Sequence, residues 1–429
     1  MMGGIFVEDT RRRVLAAVDE GWDHQVDFLR QLVRAPSVLM EEAECQRVVQ
    51  SKLHQLDLEV DVFDVDIGAI SGLPGFSPVD WSYQGRPLVV GVWPTESGGG
   101  RSLVLNGHID VVSPEPVRQW KHDPWGAEVV GERMYGRGAL DMKSGVSAMV
   151  YAVRALQSAG VRLKGDVILQ SVIEEECSGN GTLACLARGH VGDAALIPEP
   201  SGGGLLEGEL GVLWLRIVVP GRAGHVLGAH SCVNAIDKAY YLREALRDLE
   251  QKWNRDPHPA FAHLDHPINF NPGVIRGGDW PSTVPAECQL VSRLSFYPGV
   301  KPEEAKALVL DHLREAVEAD SWLKENPPEF SWYGHHDEGF VAPEDDPLME
   351  MVGRVHQELR GAEPKRHVST AVTDARFWRL YHDRPATCYG PKGGNTHAPD
   401  EWVDLPSVRE TTRVIALSLM EWCGVDSAD

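Results

Sequence analysis

Leu103-Val-Leu-Asn-Gly-His108-Ile-Asp110-Val-Val112 decides how this chain reads, together with Tyr135-Gly-Arg-Gly-Ala-Leu-Asp141-Met-Lys-Ser-Gly145 after an intervening loop. An apolar strand ends in a His-x-Asp pair. A Gly-rich turn then delivers a second Asp just before an apolar helix. An imidazole and carboxylates are thereby placed at the top of a sheet, a position suited to a metal ion.

Outward from this stretch the pattern repeats. Val146, Met149, Val150, Val153 and Leu156 form one face of a helix over about 143–158. Apolar segments at 88–93, 102–105, 167–172 and 194–197 read as strands, the last running into Pro-Glu199-Pro. Strand, helix, strand implies a sheet covered by helices. Upstream, Leu15, Val18, Trp22, Val26, Leu29 and Val33 recur at helical spacing, as do Cys45, Val49, Leu53 and Leu56. Residues 67–85, rich in Gly, Pro and Ser, read as a loop.

The character changes near 211. A strand at 212–219 is followed by a helix at 234–252 and by strand-like segments around Gly277 and at 288–296. A helix then opens on Pro302-Glu303-Glu304, and a strand closes the unit at 329–333. The order βαββαβ is that of a ferredoxin-like unit. Residues 211–335 are therefore read as an inserted α+β domain, and 1–210 with 336–429 as one discontinuous α/β domain.

Composition narrows the function. The 41 basic and 63 acidic residues give a net charge of -22, which argues against a nucleic-acid partner or an anionic membrane surface. No apolar run approaches the roughly 20 residues that span a bilayer. The N-terminus has no signal-peptide core, so cytoplasm is the expected compartment. Seven scattered cysteines form no C-x-x-C pair and suggest neither a disulfide framework nor a structural zinc site.

Acidic and His residues recur at strand ends: His108, Asp110, Glu174 to Glu176, Glu199, and His397 in Thr396-His-Ala-Pro-Asp-Glu401. Clustered carboxylates at the end of a buried strand repel one another unless a cation or proton compensates. On spacing alone a metal site and a solvated charge run both stay open. His335, His336 and Asp337, in the apparent return linker, are read as non-ligands.

The motifs together resemble those of the M20 family of co-catalytic zinc hydrolases, nearest its acetylornithine deacetylase and succinyl-diaminopimelate desuccinylase branch. They are G-H-x-D-V-V at 107–112, Y-G-R-G-A-x-D-M-K-x-G at 135–145, the acidic run at 174–176, E-P at 199–200 and T-H-x-P-D-E at 396–401. They occur in the family's order over nearly the whole chain.

The resemblance implies a three-layer α/β/α catalytic domain with a mixed sheet, and an inserted ferredoxin-like lid through which a homodimer forms. It implies two zinc ions, with cobalt or manganese as possible substitutes. Asp141 would bridge them, His108 and Glu199 would complete one site, and Glu176 and His397 the other. Glu175 would be the general base, and Asp110 would hydrogen-bond His108 and fix its tautomer. A cis bond is implied between Asp141 and Met142.

His225, in Gly221-Arg-Ala-Gly-His225, would stabilise the oxyanion, reaching a partner subunit's site. Arg293 and Ser282 match a clamp for a substrate carboxylate, although relatives place Asn at the latter. Ala229 likewise stands where a Pro is usual. Thr373 and Asp374 resemble a substrate-side loop, and Arg376 nearby could bind an anionic group.

The activity implied is removal of an N-acyl or N-formyl group from an amino acid or amine by a metal-bridging hydroxide. Alternatives are a dipeptidase or carboxypeptidase with the same metal core, and a non-catalytic binding relative.

Overall fold

The computed structural model describes residues 2–95 and 98–426. Its main elements, in chain order, begin with β1 (Glu59–Asp64), β2 (Pro87–Trp93), β3 (Leu103–His108), α1 (Lys143–Ser158), β4 (Val167–Val172) and β5 (Ala195–Ile197). Then come β6 (Gly211–Pro220), α2 (Ala235–Trp253), β7 (Phe270–Gly277), β8 (Glu287–Phe296), α3 (Pro302–Ala319) and β9 (Glu329–Asp337). The chain closes with α4 (Pro347–Arg360), β10 (Ala386–Cys388) and α5 (Leu405–Cys423).

Strands β1-β2-β4-β3-β5-β10 form a mixed six-stranded sheet in that order. The first two pairings are antiparallel, and β4, β3, β5 and β10 run parallel. All six residues of β3 are buried. An apolar run without alternation is what a strand covered on both faces requires. The strand continues to His108, beyond the expected end at 105, because Asn106 is satisfied inside the sheet. Its Nδ2 donates to Gln170 Oε1 at 3.0 Å and Thr182 Oγ1 at 2.8 Å. The core around α1 includes Val414, Ile415 and Leu419 of α5, so the C-terminal helix returns to this sheet.

A second, antiparallel sheet has the order β7-β8-β6-β9. Leu215, Ile217 and Val219 of β6 pack with Ala239, Leu242 and Leu246 of α2 and with Val309 and Leu313 of α3 in a core of their own. Strand β9 runs to Asp337, past the expected stop at 333 and past the boundary drawn at 335. The pairing shifts register between Trp332 and His336, and Gly334 there has φ 64°. A Cβ at Gly334 would meet Trp214 Cε3 at 2.5 Å, so the bulge needs glycine. A strand pattern read by alternation stops at such an interruption.

Two small sheets escape the periodicity argument. Glu128–Val130, Arg133–Tyr135, Trp402–Asp404 and Gly393–Gly394 form one. Leu205–Glu209 pairs with Phe340–Val341 and Arg366–Ser369 in the other. Strands of two to five residues offer too few positions for a period to show. Among the described residues no helix is long and apolar enough to cross a membrane.

Candidate metal centre

Parallel strands bring their carboxyl ends to one edge of the first sheet. Strand β3 ends in His108, β4 leads to Glu174, Glu175 and Glu176, β5 leads to Glu199, and β10 leads into the loop that carries His397. Asp141 stands just before α1. His108 Nε2 lies 3.3 Å from Asp141 Oδ1, 3.4 Å from Glu199 Oε1 and 3.8 Å from Glu175 Oε2. His397 Nε2 lies 3.0 Å from Glu176 Oε1 and 3.6 Å from Asp141 Oδ2. Asp141 therefore turns one oxygen to each imidazole.

Ligand atoms of His108, Glu175 and Glu199 fall within 4.8 Å of one another, and so do those of His108, Asp141 and Glu176. These groupings share His108, whereas the resemblance shares Asp141. On distance alone Glu175 is as much a ligand candidate as a base.

The donor set fits a cation. His108 Nε2 and Glu199 Oε1 are buried and have no hydrogen-bond partner. Unpaired buried polar atoms are costly, and both face the same carboxylate cluster. Imidazole and carboxylate without thiolate suit zinc, manganese or cobalt.

Charge crowding is visible in the protonation equilibria. Burial pushes the Glu175 carboxyl well above its ordinary pKa against the pull of His108, with Glu199 adding to the rise. Burial likewise takes Glu199 to about 7. Burial alone would lower the pKa of His108, but Glu199 and Asp141 hold it well above the usual imidazole value. Two buried carboxylates and the imidazole beside them are all shifted upward, a charge crowding of the kind that gathers at functional sites.

Neighbouring groups aim the cluster. Glu174 points away from it, at φ 69°. Its carboxylate accepts from Trp81 Nε1 at 2.5 Å and Ser178 Oγ at 2.8 Å, and pairs with Arg86 Nη1 at 2.6 Å. The three glutamates are thus one internal ion pair and two cleft residues, not a solvated run.

His108 Nδ1 bonds the main-chain carbonyl of Asp110 at 2.9 Å, which leaves Nε2 free for a ligand. The carboxylate of Asp110 stands 3.6 Å from the ring. It accepts the N–H groups of Glu175 at 3.4 Å and Glu176 at 3.2 Å. The contact expected from its side chain is made by its backbone instead, and the side chain orients the two glutamates. The bond between Asp141 and Met142 is cis.

A family model, described as peptidase family M20/M25/M40, matches residues 104–421. The chain belongs to this family. Curated relatives include N-formyl-4-amino-5-aminomethyl-2-methylpyrimidine deformylase of Halalkalibacterium halodurans, 30% identical over 97% of this chain and 98% of that one. The succinyl-diaminopimelate desuccinylase of Methylocella silvestris is 27% identical over 91% and 96%. Among solved structures, the di-peptidase Dug1p from Saccharomyces cerevisiae superposes with a TM-score of 0.78 over 96% and 98% of the chains at 14% identity, a likeness of fold. As an M20 protein, the chain is a metal-dependent amidohydrolase.

Beside the candidate ligands of this M20 hydrolase lies a cavity of about 370 Å³. Glu175, Glu176 and His397 are among its lining residues, together with Trp214, Tyr333, His335 and Arg293. The Trp214 ring meets His335 edge-on at 5.1 Å and Tyr333 at 5.7 Å between centroids. His335 Nδ1 is 2.5 Å from Asp337 Oδ2. His335 is thus a cavity residue held on the bulge of β9, not part of a linker. No periodic signal pointed to it, because a bulge and not an alternating face turns it inward.

The residues expected to touch substrate separate. Arg293 lines the cavity, and its Nη2 donates to the Thr370 carbonyl at 2.7 Å. Arg376 is fully buried, 2.9 Å from Asp337 Oδ1 and 3.5 Å from Asp374 Oδ1. Its guanidinium is spent on internal carboxylates, so an anion-binding role for it is corrected to an internal counter-charge.

Thr373 and Asp374 are also buried, the first donating to Glu209 Oε2 at 2.8 Å and the second accepting from Thr182 Oγ1 at 2.5 Å. His225 and Ser282 are both exposed, the first in the short ladder that pairs Gly224–His225 with Thr283–Val284 and the second just before it, and neither lines this cavity.

Proposed function

We propose that the enzyme is a two-zinc deacylase that removes an N-formyl or similarly small N-acyl group from an amine carried on a flat ring. The unpartnered His108 Nε2 and Glu199 Oε1, 3.4 Å apart with Asp141 Oδ1 3.3 Å from the same nitrogen, carry the metal reading. The wall of Trp214, Tyr333 and His335 next to that cluster supports the planar amine, since aromatic rings prefer edge-on or offset aromatic partners. A curated relative that acts on an N-formyl aminomethylpyrimidine, similar along nearly the whole chain, points the same way.

His108, Asp141 and Glu199 would hold one ion, and Asp141, Glu176 and His397 the other. Bound zinc supplies Lewis acidity to the carbonyl and lowers the pKa of water. Glu175 takes a proton from the attacking water at its carboxylate and delivers it to the amine nitrogen as the C–N bond breaks. The products are a carboxylic acid, formic acid in the simplest case, which gives up its remaining proton to the amine or to water on release, and the amine. Asp110 fixes the direction of Glu175 through the main-chain N–H it accepts.

Residues 211–335 act as the inserted lid, and a homodimer forms through it. Strand β7 is an edge strand with Val274 and Ile275 exposed, and Trp280 beyond it is 68% exposed, a surface that a second copy would cover. His225, exposed and outside its own cavity, then serves the site of a second subunit. Seven free cysteines accord with a cytoplasmic location.

A dipeptidase or carboxypeptidase activity is the second reading. Arg293 favours it: among the described residues it makes no ion pair, so it offers a cation to a substrate carboxylate. Turnover of an N-formyl aminomethylpyrimidine, an N-acetyl amino acid and a dipeptide by zinc-loaded protein separates the two. Preference for the dipeptide would replace the deacylase assignment, and zinc binding without turnover of any substrate would point to a binding protein.

A further inference from the structure

We propose that Glu401 is a positioning residue that sets both metal sites at once by clamping the backbone of Asp141 to the loop of His397. This rests on the two-metal reading above. Glu401 is fully buried. Its Oε1 accepts the N–H of Leu140 at 2.9 Å and that of Asp141 at 3.1 Å. Its Oε2 accepts from Arg137 Nη1 at 2.6 Å, and its carbonyl accepts the N–H of Gly136 at 2.9 Å. Four bonds thus run from one residue to the turn that delivers Asp141. Neither Leu140 nor Asp141 has a main-chain acceptor for its N–H, so the carboxylate is their sole partner among the described residues.

The His397 side of the clamp needs holding. Asn395, His397 and Asp400 all have left-handed φ, 60°, 60° and 57°. Non-glycine residues adopt that region only where surrounding contacts enforce it. Asp400 Oδ1 accepts the N–H groups of Lys121 at 2.7 Å and His122 at 3.1 Å, and Glu401 follows directly. Trp402–Asp404 then pairs with Arg133–Tyr135, just before the Asp141 turn. One short path therefore fixes the 3.6 Å separation of His397 Nε2 and Asp141 Oδ2.

A distinctive signature follows. Asp141 turns one oxygen to each half of the centre, so a shift of its backbone misplaces both halves together. Loss of an outlying ligand weakens one half. The experiment is zinc titration of chelator-stripped full-length protein in competition with a chromophoric chelator. Thermal unfolding of the stripped protein is followed alongside.

Glu401→Ala is expected to weaken both zinc-binding steps together by roughly 10- to 100-fold, while His397→Ala weakens one step far more than the other. Glu401→Gln keeps an amide oxygen for both N–H groups but would turn its NH2 on Arg137 Nη1, so it is combined with Arg137→Met. The double variant is expected to restore affinity to within about threefold of wild type, since it keeps both hydrogen bonds. Wild-type affinity in Glu401→Ala overturns the proposal, as does a double variant that falls as far as the alanine. If Glu401→Ala does not fold, Glu401→Asp replaces it. Its carboxylate is one methylene short of the two donors, so the same joint loss is expected, and wild-type affinity overturns the proposal. Wild-type protein that takes up no zinc would instead refute the metal reading itself.

Discussion

Replacing Glu175 by Gln puts the division of labour in the centre to its hardest test. The carboxylate sits 3.8 Å from His108 Nε2, farther than Asp141 at 3.3 Å and Glu199 at 3.4 Å. Distance alone leaves Glu175 open as ligand or base, so the variant decides between them. Glu175 is also 8% exposed and lines the cavity, where it faces both the cluster and any bound substrate.

As a base it is worth roughly 10²- to 10⁴-fold in rate, or about 3–5 kcal/mol of barrier. Glutamine keeps the shape and cannot take the proton. Steady-state kcat should therefore fall by roughly a thousandfold, while zinc content, measured by elemental analysis after desalting, stays at the wild-type value. Loss of zinc together with activity would refute this assignment. It would favour the grouping of His108, Glu175 and Glu199 as ligands, which the distances also permit.

Other expectations test the surroundings. Trp214→Ala removes an edge-on aromatic partner from the cavity wall, and KM for a ring-bearing N-formyl amine should rise about tenfold with little change for an open-chain one, as measured by initial rates. Arg376→Met should leave KM within about twofold but destabilise the fold by ~3–5 kcal/mol in thermal or urea unfolding, because it strands buried Asp337 and Asp374 without their counter-charge.

Glu209 is fully buried, and burial raises its pKa to about 8 against the pull of Arg376. Between its ordinary value and 8 the folded state holds a proton that the unfolded state has released, so its contribution to stability is present at low pH and is lost as pH rises through about 8. Glu209→Gln should flatten that decline in a chemical-denaturation series over pH. Prolonged chelation should abolish turnover, and zinc should restore it.

Much of the centre was legible before any coordinates, for a physical reason. Parallel strands end on one edge, and β3, β4 and β5 are short, apolar and followed at once by His or carboxylate. That makes convergence of His108, Asp141, Glu174 to Glu176, Glu199 and His397 readable from strand ends and the Gly-rich turn, while the family resemblance supplies the role of each. The substrate side was read less well. Arg293, Thr373, Asp374 and Arg376 look alike as polar residues near the site, yet Arg293 lines the cavity and the other three are buried. Which way a side chain faces in a loop depends on neighbours far away in the chain, such as Asp337 and Glu209. His335 reads as a linker residue in the sequence because a bulge breaks the alternation of β9.

By itself the sequence determined the layered α/β class, the second sheet with its two helices, and the imidazole and carboxylate candidates gathered at the strand ends. Each depends on local pattern: a period, a strand end, a residue's own chemistry. Tertiary structure alone decided the outward turn of Glu174 onto Arg86, the main-chain rather than side-chain hold of Asp110 on His108, and the union of the His397 loop with the Asp141 turn through Glu401. These are meetings of residues up to some 260 positions apart. The need to pair every buried charge and N–H selects them, and that need arises only once the chain has closed on itself.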